Sequence, residues 1–215
     1  MAVISCRLRG APIIRCLGLN PSLVPVLLIW VVSATAEESR ADDGRSSLVV
    51  PDVRIECSLK RKAGELLETE AFVARERYQE DITPTAKVRI SWLGATFMHR
   101  YAVKVETEGD PSLQTYILRN PSSAVDISRE LGARDETRLA NVWCLLRLQA
   151  NGESGALQTN SAPNIFFVRD GLGDLGVVDV LWGGAGWEIG ASPIGNQRTW
   201  PPGTRVFSHG ADKRM

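Results

Sequence analysis

The chain has 215 residues, 44% of them apolar, and its 25 Lys and Arg are balanced by 25 Asp and Glu. This length gives room for one good-sized domain and excludes a multidomain machine, and this apolar content can bury a core, which excludes wholesale disorder. Arg7, Arg9 and Arg15 precede every acidic residue, so a chain processed behind them is slightly acidic, which argues against a surface for nucleic acid or anionic membrane.

Residues 1–36 read as a signal peptide: three arginines, an apolar stretch over 23–32, and then Ser33-Ala34-Thr35-Ala36 ahead of Glu37. That order of basic, apolar and small residues predicts cleavage after Ala36 and a secreted, extracellular protein with no stable membrane span left. The alternative is an uncleaved anchor, but a span needs about 20 apolar residues, and this stretch is shorter and contains Pro25. Cys6 and Cys16 leave with the signal, and Cys57 and Cys144 remain. Two cysteines in an exported chain predict one disulfide, with two buried thiols as the alternative.

Residues 37–47 are charged or small without periodicity and read as a linker. In residues 52–59, Val53, Ile55, Cys57 and Leu59 alternate with polar residues, the pattern of a half-buried strand with Cys57 inward. Residues 60–80 suit either a short amphipathic helix or an edge strand over 69–74. Val88, Ile90 and Trp92 then share one side of a strand, and Tyr101, Val103 and Val105 one side of the next. Short strands follow over 114–118 and 124–128, the latter with Val125 and Ile127 inward, and residues 132–138 read as a loop. A long strand carries Val142, Cys144, Leu146, Leu148 and Ala150 on one face, and a final one covers 164–168. Many short strands divided by Gly, Pro, Asn and Ser turns predict an all-β fold, an antiparallel sandwich or barrel over 48–169.

Residues 170–215 differ in kind, being rich in glycine with Trp182, Trp187 and Trp200 interspersed and Pro201-Pro202-Gly203 near the end. Residues 177–181 could add a strand. The rest reads as a poorly packed or disordered extension, or as the start of a domain the chain does not complete.

In Val88-Arg89-Ile90-Ser91-Trp92, Tyr101-Ala102-Val103-Lys104-Val105, Val125-Asp126-Ile127 with Leu131, and Leu146-Arg147-Leu148-Gln149-Ala150-Asn151-Gly152, the chain resembles a fibronectin type III domain across roughly residues 83–168. The resemblance implies an antiparallel β-sandwich closed over Trp92. An immunoglobulin-like sandwich competes, because Cys57, Trp92 and Cys144 occur in the order Cys, Trp, Cys.

His99 and His209 are the only imidazoles, and neither sits in a recognisable arrangement with a nucleophile and a carboxylate. No phosphate-binding glycine loop and no metal-spaced set of Cys and His occurs, so neither catalysis nor a cofactor is expected. Asp170-Gly171-Leu172-Gly173-Asp174 with Asp179 downstream is the one weak calcium candidate: it offers oxygen ligands around a tight turn, but Leu172 fills a ligand slot and the bidentate acid is missing. Trp182, Trp187 and Trp200 could contact a ligand by stacking on sugars or entering a partner's pocket; the duller reading has them covering a sheet edge. These features predict a secreted module that binds an extracellular protein partner, in adhesion for example, without catalysis. An accessory domain of a carbohydrate-active enzyme, holding glycans through the tail tryptophans, is the alternative.

Overall fold

A computed structural model describes residues 46–49, 54–56, 71–107 and 112–210. The signal peptide of 1–36, most of the linker, and Cys57 lie outside the described residues.

The strands are β1 (Leu48–Val49), β2 (Arg54–Glu56), β3 (Ala71–Val73), β4 (Ile90–Leu93), β5 (Val105–Thr107), β6 (Ser112–Leu118), β7 (Ser122–Ser123), β8 (Glu136–Thr137), β9 (Asn164–Arg169), β10 (Leu175–Trp182), β11 (Trp187–Pro193), β12 (Thr199–Trp200) and β13 (Arg205–His209). Between them run helices α1 (Ala74–Arg77), α2 (Ala124–Leu131) and α3 (Leu139–Leu148), and a π-helical turn, Phe97–Tyr101. The fold is therefore rich in β-structure with few helices. Among the described residues nine strands form one sheet in the order β1-β6-β13-β9-β10-β11-β4, with β2 also on β6 and β8 also on β9.

The expected antiparallel arrangement does not describe this sheet. The pairs β13·β9, β11·β4 and β8·β9 are parallel, and the remainder are antiparallel. Both faces are covered, which the chain shows in β9, where Asn164, Ile165, Phe166, Phe167 and Val168 are all buried in succession. Phe166, Val168, Val178, Val180 and Phe207 belong to one core with α3 and the π-helical turn. Ile165, Phe167, Val177 and Val206 belong to the other with Ile127, Leu131 and Trp200.

Two expected strands are helices. Residues 124–128 open α2, where Ser123 Oγ accepts from Asp126 N at 3.2 Å as an N-cap and Gly132, at φ 62°, ends the helix. Ala124, Ile127 and Leu131 recur at helical spacing and are buried, while Val125, expected inward, is exposed. Residues 142–148 belong to α3. Its apolar run is nearly continuous, so both periods can be traced through it, and length rather than phase decides. Leu139, Val142, Leu145 and Leu146 are buried, and Leu148, expected inward, faces solvent. Residues 132–138 are not wholly loop, since they include β8.

Trp92 is half-exposed rather than a core residue. The pairing of β4 with β11 runs Ile90 to Trp187 but Trp92 to Glu188, so two residues of β4 stand against one of β11. This bulge shifts the phase, and Leu93 is buried where Trp92 was expected. Tyr101 is inward as expected, but it closes a π-helical turn, and Val103 and Val105 are exposed. In the ambiguous stretch the described part is both strand, β3, and helix, α1.

The glycine-rich tail is not a poorly packed appendage over residues 170–210. It supplies β10, β11 and β13, and β13 lies between β6 and β9 inside the sheet.

Candidate functional site

Arg100 and Tyr101 end the π-helical turn, closed by Ala102 N donating to Phe97 O at 3.0 Å. Opposite them the chain reverses from β9 to β10 through residues 170–174. An aspartate at the start of such a turn caps the backbone after it, and here Asp170 Oδ1 accepts from Leu172 N at 2.9 Å and from Asp174 N at 3.0 Å. Gly171 N donates to Arg100 O at 2.7 Å, which joins the two turns. The Arg100 guanidinium pairs with Asp170 and, at 3.0 Å, with Asp174.

These residues line a pocket of about 310 Å³ whose apolar wall is Leu175, Pro193 and Ile194. Tyr101 is 2% exposed and lines it too, and its hydroxyl makes no hydrogen bond to a described residue. The phenol fits because position 176 is glycine: a Cβ there would collide with Tyr101 Oη. Burial, followed by the neighbouring Asp170 carboxylate, pushes the Tyr101 hydroxyl up to about 12, so it is protonated at neutral pH and a poor base. Burial pushes the Asp170 carboxyl up, but the two backbone N–H groups and Arg100 outweigh that and hold it below the usual carboxylate range. The side chains of Asp170 and Asp174 thus face one guanidinium, and Asp174 keeps most of its side chain in solvent.

Of the sequence candidates, this arrangement brings together Asp170 and Asp174 but not Asp179. Asp179 lies on β10, about 16 Å further along at strand spacing, and pairs with Arg198 at 3.5 Å. Burial raises its carboxyl above the ordinary value although Arg198 opposes this. The weak calcium reading gains no support from this arrangement: the Arg100 guanidinium pairs with both Asp170 and Asp174, and among the described residues no group of three His, Cys, Asp or Glu could hold a metal.

The tail tryptophans are mostly core. Trp187 is fully buried and its Nε1 donates to Gln149 O at 2.8 Å, while Trp182 packs edge-on against it at 5.2 Å and is half-buried. Trp200 is 1% exposed and lies under the Arg198 guanidinium at 4.0 Å. Trp187 and Trp200 therefore do not present a ligand-stacking surface. His99 is exposed on the π-helical turn, His209 is on β13, and Cys144 is buried on α3.

Arg100 and Tyr101 escaped the sequence reading as site residues. Their partners lie about seventy positions away, and the only local signal was the inward assignment of Tyr101. No family model, curated protein or solved structure matches the chain.

Proposed function

We propose that this chain is an exported, non-enzymatic binding module for an extracellular protein partner, and that the partner docks a lysine side chain in the Tyr101 pocket. The observation that carries the docking step is the Tyr101 side chain lining this pocket beside Asp170 and Asp174, its hydroxyl without a hydrogen-bond partner among the described residues. An alkylammonium suits this lining: its head meets the phenol oxygen and the surplus carboxylate, and its stem lies along Leu175, Pro193 and Ile194. A phenol pushed up to about 12 is poorly placed for proton transfer, which favours binding over catalysis. The reading does not rest on the fibronectin type III resemblance, because a mixed sheet covered on both faces fits another layout.

Selection of a displayed peptide library on the mature chain tests the reading. Lysine-bearing peptides that lose affinity about tenfold for Tyr101→Phe and for Asp174→Asn are expected, from the loss of one charge-assisted hydrogen bond. Selection without lysine enrichment, or indifference to both variants, refutes the docking step. Export is tested separately by locating the expressed chain and sequencing its N-terminus, which is expected to begin at Glu37. The glycan alternative through the tail tryptophans has less support, since Trp187 and Trp200 are buried; a glycan array on the same protein separates the two.

A further inference from the structure

A second hollow, of about 380 Å³, is lined by Arg77, Lys87, Trp143 and Arg147. Its lining comes from three separate parts of the fold. Arg77 is the last residue of α1, Lys87 belongs to the turn before β4, and Trp143 and Arg147 stand four apart on one face of α3. The frame is rigid. Tyr78, next to Arg77, is buried, donates to Leu139 O at 2.8 Å and packs edge-on against Trp143 at 5.3 Å.

None of the three cations forms an ion pair or hydrogen bond with a described residue. Elsewhere in the molecule Arg100, Lys104, Arg129, Arg169 and Arg198 all have carboxylate partners. Like charges gathered on fixed elements repel, and that cost is relieved when an anion enters. Arg147 also gains from the carbonyl end of α3, but that accounts for one cation and not for three around one hollow.

We infer that the hollow bounded by Arg77, Lys87, Arg147 and Trp143 binds a phosphate monoester. Guanidinium forks grip tetrahedral oxyanions in two-point contacts, and an ammonium adds a third donor. Three positive charges match a dianion better than a carboxylate or a sulfate ester, each of which carries one charge. The Trp143 edge and the Arg and Lys stems give the organic part of the ester an apolar wall. This site is independent of the Tyr101 pocket, and nothing in its support depends on the docking of a lysine there.

Calorimetric titration of the mature chain at low salt, with phenyl phosphate, phenyl sulfate and benzoate as probes, tests the inference. Phenyl phosphate is expected to bind more tightly than the two monoanions, and its affinity should fall about tenfold or more in Arg147→Glu and in Lys87→Glu. Both positions are exposed, and unchanged melting temperatures verify that the variants fold. Vesicles containing phosphatidic acid, compared with the soluble ester, distinguish a lipid from a soluble carrier of the group. Absence of phenyl phosphate binding, equal affinity for all three probes, or equal affinity of both variants with the parent chain would overturn the inference. None of these outcomes bears on lysine docking.

Discussion

Phe166 on β9 and Phe207 on β13 are register partners in a parallel pair, and their rings stack at 4.4 Å with 14° between planes. One residue comes from the apolar run of 164–168, which reads as a strand. The other comes from the tail, eight positions before Met215, and its strand, the last among the described residues, is an inner strand of the sheet.

Truncating either ring should therefore be costly. Phe207→Ala is expected to destabilise by about 3–5 kcal/mol, the range for a large aromatic removed from a core. Its urea midpoint should drop accordingly. Stopping the chain before Arg205 should abolish cooperative unfolding, because β6 and β9 would lose the strand between them.

Ser123→Ala tests the start of α2. The Oγ acceptance from Asp126 N is the cap that turns residues 124–131 into helix. Loss of about 0.5–2 kcal/mol is expected, measured by thermal unfolding, with retention of the fold.

Asp170 should make stability depend on acid. Its folded-state carboxyl titrates below the unfolded value, so its contribution is fully present above the unfolded pKa, near 4. That contribution is lost as pH falls through the folded value. Asp170→Ala also removes the acceptor for Leu172 N and Asp174 N, and is expected to cost about 2–3 kcal/mol at pH 7. The gap between variant and parent should narrow below pH 4; a gap constant with pH would contradict the assignment.

The proposed bond between Cys57 and Cys144 would close a loop of nearly ninety residues, worth about 4–5 kcal/mol in the chain-entropy treatment. Dithiothreitol should then lower the melting temperature markedly. Mass spectrometry of the alkylated, non-reduced protein should show both thiols protected. Equal melting with and without reductant would remove the bond.

The β-rich character of this molecule was readable from its sequence, and the residues show where that reading stopped. The short stretch of 114–118 closed by Asn120-Pro121 and the apolar run of 164–168 depend on local chemistry, and both are strands. In α3 the run of Val142, Trp143, Cys144, Leu145 and Leu146 satisfies a period of two as well as a helical one, so local pattern could not choose. At β4, alternation pointed Trp92 inward, and only the bulge against β11 put Leu93 there instead. The turn at Asp170 and Asp174 was visible as a polar constellation, but its chemistry was not. What turns it from a cation cage into a paired, hydrogen-bonding pocket is Arg100 and Tyr101, which have no sequence proximity to it.

From sequence alone came the β-rich character, the position of most turns and the acidic pair in residues 170–174, since each follows from side chains and their immediate neighbours. Tertiary structure decided the order of the sheet, the helices at 124 and 139, the burial of Trp187 and Trp200, and both pockets. Those features depend on which distant segment covers a given face, and no short-range pattern encodes that choice.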